Sequence, residues 1–318
     1  MEANQEIFNS LISLIFSFIV NPKYMKQNIR YWILAARPKT LPAAVIPVII
    51  GTSFAYRDHS FDFIPALVAL ICAILIQIGT NFANDYYDYK KGTDDENRIG
   101  FKRATSSGWI APDVMLKATK LTMLFAFILG LYLVWHAGIV VLVIGILSLI
   151  FGIVYTGGPY PLGYNGLGDV FVFIFFGIIA VMTTYYVQAL DWSIDTFWAS
   201  LAIGALSTNI LVVNNLRDIE TDAKTGKRTL GVMFGEVALK TEYTLMMAIA
   251  LIIPLVLRIW YGFDTLILLP ILLLPGILFL LNTVWRFKDR KNLNDTLVKT
   301  AAFMTVYGLV LTVGILAS

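Results

Sequence analysis

Charge is scarce in this chain. Only 14% of its 318 residues are Asp, Glu, Lys or Arg, well below the roughly 25% usual in a soluble domain. A water-exposed surface for a chain of this length needs more charge than that, which excludes a soluble enzyme. A disordered chain is excluded too: 58% of the residues are hydrophobic and the mean hydropathy is +0.74, the reverse of a disorder-prone composition. Neither sign of charge dominates. The 24 Lys and Arg against 21 Asp and Glu leave a net +3, too little for nucleic acid to be expected as a partner. Cys72 is the single cysteine, so no disulfide framework or thiolate metal site is open to the chain. The two histidines, His59 and His136, are too few and too scattered for a histidine-rich one. What remains is a polytopic membrane protein in contact with lipid.

What is abundant is long apolar runs. A hydrocarbon layer about 30 Å thick needs roughly 20 mostly apolar residues per helix. Nine such spans are expected, near 31–56, 62–84, 117–136, 138–156, 169–189, 196–216, 237–258, 264–285 and 297–316, the first interrupted by Arg37, Pro38 and Lys39. Continuous runs such as Ile139–Val154 lack the alternation of a membrane β-barrel. If each span crosses once, all but two of the 24 Lys and Arg fall on the side of the N-terminus, Arg57 and Arg258 being the exceptions. The positive-inside rule makes that side cytoplasmic and puts the tail Ile315–Ser318 outside. Residues 1–30 form a cytoplasmic or interfacial extension. Its apolar stretch Ile7–Val20 has 14 residues after an acidic start, a poor secretory signal and a better interfacial helix. Residues 31–318 make one transmembrane domain.

The acids gather in two loops on the cytoplasmic side, 81–108 and 214–235. Asn84-x-x-x-Asp88 in the first matches Asn214-x-x-x-Asp218 in the second at an offset of 130 residues, and Asp222 extends the second. An even number of spans separates them, so both enter from one side, as in a parallel internal repeat. Residues at i and i+4 share a helix face. Asn84 with Asp88, and Asn214 with Asp218 and Asp222, therefore form two stripes at the ends of spans two and six. Facing one another, they collect carboxylates that repel unless cations fill the gap. Hard oxygen ligands favour Mg²⁺, which bridges to substrate phosphates. Lys102, Arg103, Lys227 and Arg228 nearby supply counter-charge for outer phosphate oxygens. Asp88, Asp218 and Asp222 lie at the edge of apolar spans, where an acid is costly and marks function.

At these loops the sequence resembles the UbiA superfamily of intramembrane prenyltransferases, whose two Asp-rich motifs read N-x-x-x-D-x-x-x-D and D-x-x-x-D. More narrowly it is similar to the members that prenylate 1,4-dihydroxy-2-naphthoate in menaquinone synthesis. The resemblance is carried by Arg37-Pro-Lys-Thr-Leu-Pro42, Asn84-Asp-Tyr-Tyr-Asp88, Tyr155-Thr-Gly-Gly-Pro159, Gly163-Tyr-Asn-Gly-Leu-Gly-Asp169 and Asn214-Asn-Leu-Arg-Asp218 with Gly226-Lys-Arg-Thr229. It implies an all-α membrane fold of about nine helices around a central cavity open to the cytoplasm. It implies Mg²⁺ held by Asp88, Asp218 and Asp222 with Asn84 assisting, a polyprenyl diphosphate donor and an aromatic acid acceptor. Gly92 stands where the usual third acid of the first motif would be, so Asp94 or Asp95 is expected to substitute, and Asp85 is a further contender. Arg37, Lys39, Arg103, Lys227, Arg228 and Asn214 are expected around the diphosphate. Tyr155 and Asn165 belong to an uncharged, glycine-rich segment, residues 155–168, that suits a flat bicyclic acid, and Asp169, which follows it, could orient a phenolic hydroxyl or serve as a base. Tyr86, Tyr87, Tyr155 and Tyr160 are expected cavity walls. No basic residue lies between Tyr155 and Gly168, whereas ubiquinone-type relatives commonly have one there. An acceptor such as 4-hydroxybenzoate or homogentisate is the alternative within the superfamily.

Two other classes fit less well. A secondary transporter keeps its coupling carboxylates near the bilayer midplane, but these acids sit at one surface. A CDP-alcohol phosphotransferase needs Asp-x-x-Asp-Gly-x-x-Ala-Arg, and Asp85-Tyr-Tyr-Asp88 is followed by Tyr89 and Lys90.

Overall fold

The computed structural model describes residues 29–93 and 99–318. The Ile7–Val20 segment, Asp94 and Asp95 lie outside the described residues. The described residues are helical, with no β-strand among them.

Helices α1 (Ile29–Ala36) and α2 (Pro42–Arg57) meet at a 53° bend. Pro38 and Pro42 bracket the break, and Arg37 takes φ 53, a region that non-glycine residues enter at a cost. Helix α3 (Phe63–Lys90) starts where the Asp62 side chain accepts from the Ile64 amide at 3.2 Å, an N-cap. Helices α4 (Pro112–Ala137) and α5 (Ile139–Val154) are joined by Gly138 alone, at φ 87, a turn that glycine takes without strain. Helix α6 (Gly168–Ala189) contains a π-helical stretch over Phe173–Ile179. The 31-residue α7 (Ile194–Lys224) follows a Ser193 cap. The short α8 (Leu230–Phe234) leads to α9 (Glu236–Tyr261), then α10 (Thr265–Arg286), whose first nine residues are 3₁₀, and α11 (Leu293–Leu316).

Seven of these helices are long and apolar enough to cross a membrane, and the bent α1–α2 pair makes an eighth if it counts as one span. The ninth expected span falls on α5, which has 16 residues; at 1.5 Å per residue it is about 24 Å long, short of a full crossing.

Helix α7 is the axis of the packing, with 78% of its apolar window buried. Ile203, Leu206, Val213 and Leu216 pack with Tyr243 and Met247 of α9, Met304 and Tyr307 of α11 and Ile46 and Ile50 of α2. Polar groups buried at this depth must bond internally. Tyr307 Oη donates to the Ala250 carbonyl at 2.6 Å, Asn209 Nδ2 to the Tyr243 carbonyl at 3.2 Å, and Tyr243 Oη pairs with Thr300 Oγ1 at 2.9 Å. Helix α6 crosses α7 at Gly177 and Gly204, where a Cβ on Gly177 would come 2.5 Å from the Gly204 Cα. Where α2 ends and α7 begins, Arg57 ties the bundle. Its guanidinium donates to Asp58 at 2.8 Å and Asp195 at 2.7 Å, and it lies over the rings of Phe54 and Phe263.

Candidate active site

Both acidic motifs follow from helix length. Asn84 in α3 and Asn214 in α7 fall just after the first 20 or so residues of their helices, about the number needed to cross the hydrocarbon. Each helix continues for further turns, and these turns hold Asp88 in one and Asp218 and Asp222 in the other. The stripes expected from i, i+4 spacing thus emerge at the polar edge of the bundle.

They share one cavity of about 390 Å³. Its polar end is lined by Asn84, Asp88, Asn214, Asp218 and Asp222, with Arg37, Arg103 and Lys227 among them. Its other end runs between α3, α4, α5 and α6 past Ile76, Leu131, Leu142, Phe151, Phe171 and Phe175 to Leu133, Val141 and Val187. Phe171 and Phe175 stack 6.0 Å apart, and Phe151 leans on both.

Cations already stand among the carboxylates. Lys227 Nζ lies 3.6 Å from Asp88 Oδ1 and 3.8 Å from Asp222 Oδ1, bridging the two motifs. Arg103 Nη2 is 4.0 Å from Asp88 Oδ2. Tyr164 donates its hydroxyl to Asp88 Oδ1 at 2.6 Å, and its ring carries Lys91 at 4.3 Å and Lys227 at 4.6 Å. Burial, reinforced by Asp88, pushes the Tyr164 phenol above its ordinary range, so it stays protonated and donates. Burial lowers the Lys91 ammonium, against the pull of Asp88, and Lys91 donates to the Thr156 carbonyl at 2.8 Å. Thr156 Oγ1 in turn donates to Asn84 Oδ1 at 2.7 Å.

The donors at the polar end suit a hard divalent cation: carboxylates and amide oxygens, with no imidazole in the cavity lining and its one thiol, Cys72, twelve residues before Asn84 in α3. Among the described residues no three His, Cys, Asp or Glu side chains converge on a single point. A divalent cation held here would therefore need oxygens from a bound substrate as well.

Of the remaining expected residues, Tyr155 lines the cavity, while Lys39, Asn165, Asp169 and Arg228 stand outside its lining. Lys39 lies 4.0 Å over the Phe101 ring. Asn165 Nδ2 donates to the Pro161 carbonyl at 2.8 Å. Arg228 is exposed, with its backbone amide on the Tyr164 carbonyl at 2.8 Å. Asp169 is buried, and its Oδ1 has no hydrogen-bond partner among the described residues. Tyr86, Tyr87 and Tyr160 are also outside the lining; Tyr160 is exposed, and Tyr87 packs against Gly157. Asp85 turns away from the cavity. Its two carboxylate oxygens accept from the Ala104 and Thr105 amides at 3.0 and 2.8 Å, which fixes the backbone next to Arg103.

Sequence reasoning passed over Tyr164, Thr156, Arg217 and Asn294. Arg217 carried a signal: a guanidinium in an otherwise apolar helix is costly to bury unless an acid pairs with it, and Asp218 is next in sequence. Asn294 carried none, its partner being 77 residues away, and the motif that contains Tyr164 gave no sign of its bond to Asp88, 76 residues away.

Comparison with known proteins gives the family. The chain is 43% identical over 212 residues to 1,4-dihydroxy-2-naphthoate octaprenyltransferase of Escherichia coli (strain K12), covering 65% of this chain and 69% of that one. It is 40% identical over 230 residues to the protein of the same name from Mycobacterium tuberculosis, covering 72% and 78%. A UbiA homolog from Archaeoglobus fulgidus, solved bound to DMAPP and Mg²⁺, superposes with a TM-score of 0.60 at 16% identity, over 89% of this chain and 99% of that one; it shares the fold. The model of the UbiA prenyltransferase family matches residues 44–307, from α2 to α11 and across both acidic motifs, and the chain belongs to that family.

Proposed function

We propose that this chain transfers a polyprenyl group from a polyprenyl diphosphate to 1,4-dihydroxy-2-naphthoate, releasing diphosphate and carbon dioxide and giving a demethylmenaquinol, the reduced form of a demethylmenaquinone. The observation that carries this reading is the two-ended cavity. Its polar end joins Asp88, Asp218 and Asp222 to Arg37, Arg103 and Lys227, and most of the remaining lining is apolar. A prenyl diphosphate has the same division. The relatives named above give the acceptor.

Asp88, Asp218 and Asp222, with Asn84, would hold Mg²⁺, which neutralises the charge that builds on the diphosphate as it leaves. Lys227 and Arg103, already beside Asp88 and Asp222, would take outer diphosphate oxygens. The allylic C–O bond breaks and its electron pair leaves with the diphosphate. The ring carbon bearing the carboxylate supplies the pair for the new C–C bond. The bond from that carbon to the carboxylate then breaks, its pair returns to the ring, and carbon dioxide departs. Phe151, Phe171 and Phe175 would keep water from the allylic cation, and the ring of Tyr155, also in the cavity lining, can stabilise it through its face. The polar end faces the cytoplasm of a bacterial cell, in keeping with the Lys and Arg distribution.

Purified protein, Mg²⁺, a polyprenyl diphosphate and a panel of aromatic acids test this, with products identified by mass. The naphthoate should react far faster than 4-hydroxybenzoate, with carbon dioxide released in step. Equal rates, or a product that keeps its carboxylate, would remove the naphthoate assignment and leave only the family.

A further inference from the structure

The largest fully buried side chain of the described residues is charged. Arg217 is 1% exposed, one position before Asp218. Its Nε donates to Asp218 Oδ1 and its Nη2 to Asp218 Oδ2, both at 2.7 Å, in a two-pronged fork. Nη2 also donates to Asn214 Oδ1 at 2.7 Å, and Nη1 to Asn294 Oδ1 at 2.9 Å. Asn294, in the first turn of α11, donates Nδ2 to the Ile99 carbonyl at 3.0 Å. Asn214 and Asp218 line the cavity, and Arg217 and Asn294 do not.

A guanidinium removed from water must be paired and hydrogen-bonded to persist. Here three of the four bonds that pair it also set a cavity group. A carboxylate oxygen has two lone pairs, and a fork takes one on each oxygen. The fork therefore fixes the plane of the Asp218 carboxylate. The bond to Asn214 Oδ1 likewise settles which way that amide is turned and leaves Nδ2 as a donor for a ligand oxygen. We infer that Arg217, braced by Asn294, is a positioning residue that orients Asp218 and Asn214 to bind a divalent cation with diphosphate. The inference rests on the reading under Proposed function. It adds that α11 and the segment at Ile99 are mechanically part of the second acidic motif.

Lys at this position would keep the positive charge but not the fork, so Arg217→Lys separates orientation from neutralisation. Asn294→Ala removes one brace and touches neither Asp218 nor the cavity. The readout is Mn²⁺ binding to the purified full chain with inorganic diphosphate, followed by electron paramagnetic resonance. Loss of a group that orients a metal ligand weakens metal affinity about tenfold or more, the result expected for Arg217→Lys. Asn294→Ala should weaken it about threefold, one hydrogen bond's worth. Half-saturating Mg²⁺ for prenyl transfer should rise by the same factors, and saturating Mg²⁺ should restore most of the turnover. Folded variants that bind Mn²⁺ and diphosphate as tightly as the wild type would overturn the inference, as would lost turnover that no Mg²⁺ concentration restores. If Arg217→Lys does not fold, Asn294→Ala decides alone by the same measurement. A wild-type protein that prenylates no aromatic acid would defeat the proposed function instead, and the Mn²⁺ comparison would still judge this inference.

Discussion

At the scale of single residues, the candidate site is a set of acids kept in place by cations and neutral donors. Asp88 has Tyr164 at 2.6 Å, Lys227 at 3.6 Å and Arg103 at 4.0 Å. Replacing Asp88, Asp218 or Asp222 by Ala should each lower turnover by at least about tenfold, or about 1.4 kcal/mol of lost transition-state stabilisation. EDTA should stop the reaction and Mg²⁺ restore it. Near-normal rates from the Asp218 and Asp222 variants would show that the second motif does not hold the metal. Tyr164 makes a different prediction. Its phenol is shifted upward by burial, so the protonated donor persists to at least the ordinary phenol value, about pH 10. Tyr164→Phe should reduce the rate about two- to tenfold, as expected for one lost hydrogen bond, without altering the shape of the pH–rate profile between about pH 7 and 10. A wild-type alkaline limb in that range that vanished in the variant would mean that Tyr164 titrates there.

At the scale of elements, the sequence shows how the two motifs reach the same cavity. Asn84 and Asn214 are placed by the count of apolar residues before them, and the stripes follow from helical spacing. The detail of the first loop was not legible. Asp85 has the same chemistry as Asp88 and sits three residues away, but it binds the Ala104 and Thr105 amides, and no local pattern announces a partner 19 residues on. Nor did the pattern reveal the π-helical stretch at Phe173–Ile179, because periodicity does not resolve one inserted residue in a uniformly apolar run. Lys39 and Arg228 were drawn to the cavity by charge alone, and the structure turns one onto the Phe101 ring and the other to the surface. The glycines give a paired test. At Gly204 a Cβ would meet the Phe173 carbonyl oxygen at 2.7 Å, whereas at Gly145, on the cavity wall, it would meet nothing within 4 Å. Gly204→Leu should push α6 from α7 and lower stability by roughly 1–3 kcal/mol or more. Gly145→Ala should be neutral or slightly stabilising, by up to about 1 kcal/mol. Melting of both variants in detergent reads this, and equal melting temperatures would show that the crossing tolerates bulk.

At the scale of the molecule, the two ends of the bundle differ in what their charges do. Around the acidic motifs, Lys and Arg are dense and face acids across a cavity. At the far end, Arg57 is locked with Asp58 and Asp195 and Arg258 donates to the Phe263 carbonyl at 2.6 Å, so the few cations there are tied to their own backbone and neighbours. Cations held this way add little to the attraction of anionic lipid, whereas exposed ones near a span end do. By the positive-inside rule this asymmetry favours one orientation, which we propose: the ends of α3 and α7 in the cytoplasm and the α2 end outside. Cysteine labelling decides it, because the native Cys72 is buried and gives little background. Lys224, exposed at the end of α7, and His59, exposed beyond α2, are suitable positions. With a membrane-impermeant maleimide applied to intact cells, His59→Cys should be labelled and Lys224→Cys should be protected until the membrane is opened. The reverse pattern would put the acidic motifs on the outer face, away from cytoplasmic diphosphate, and the inverted bundle would then contradict the distribution of its own lysines and arginines.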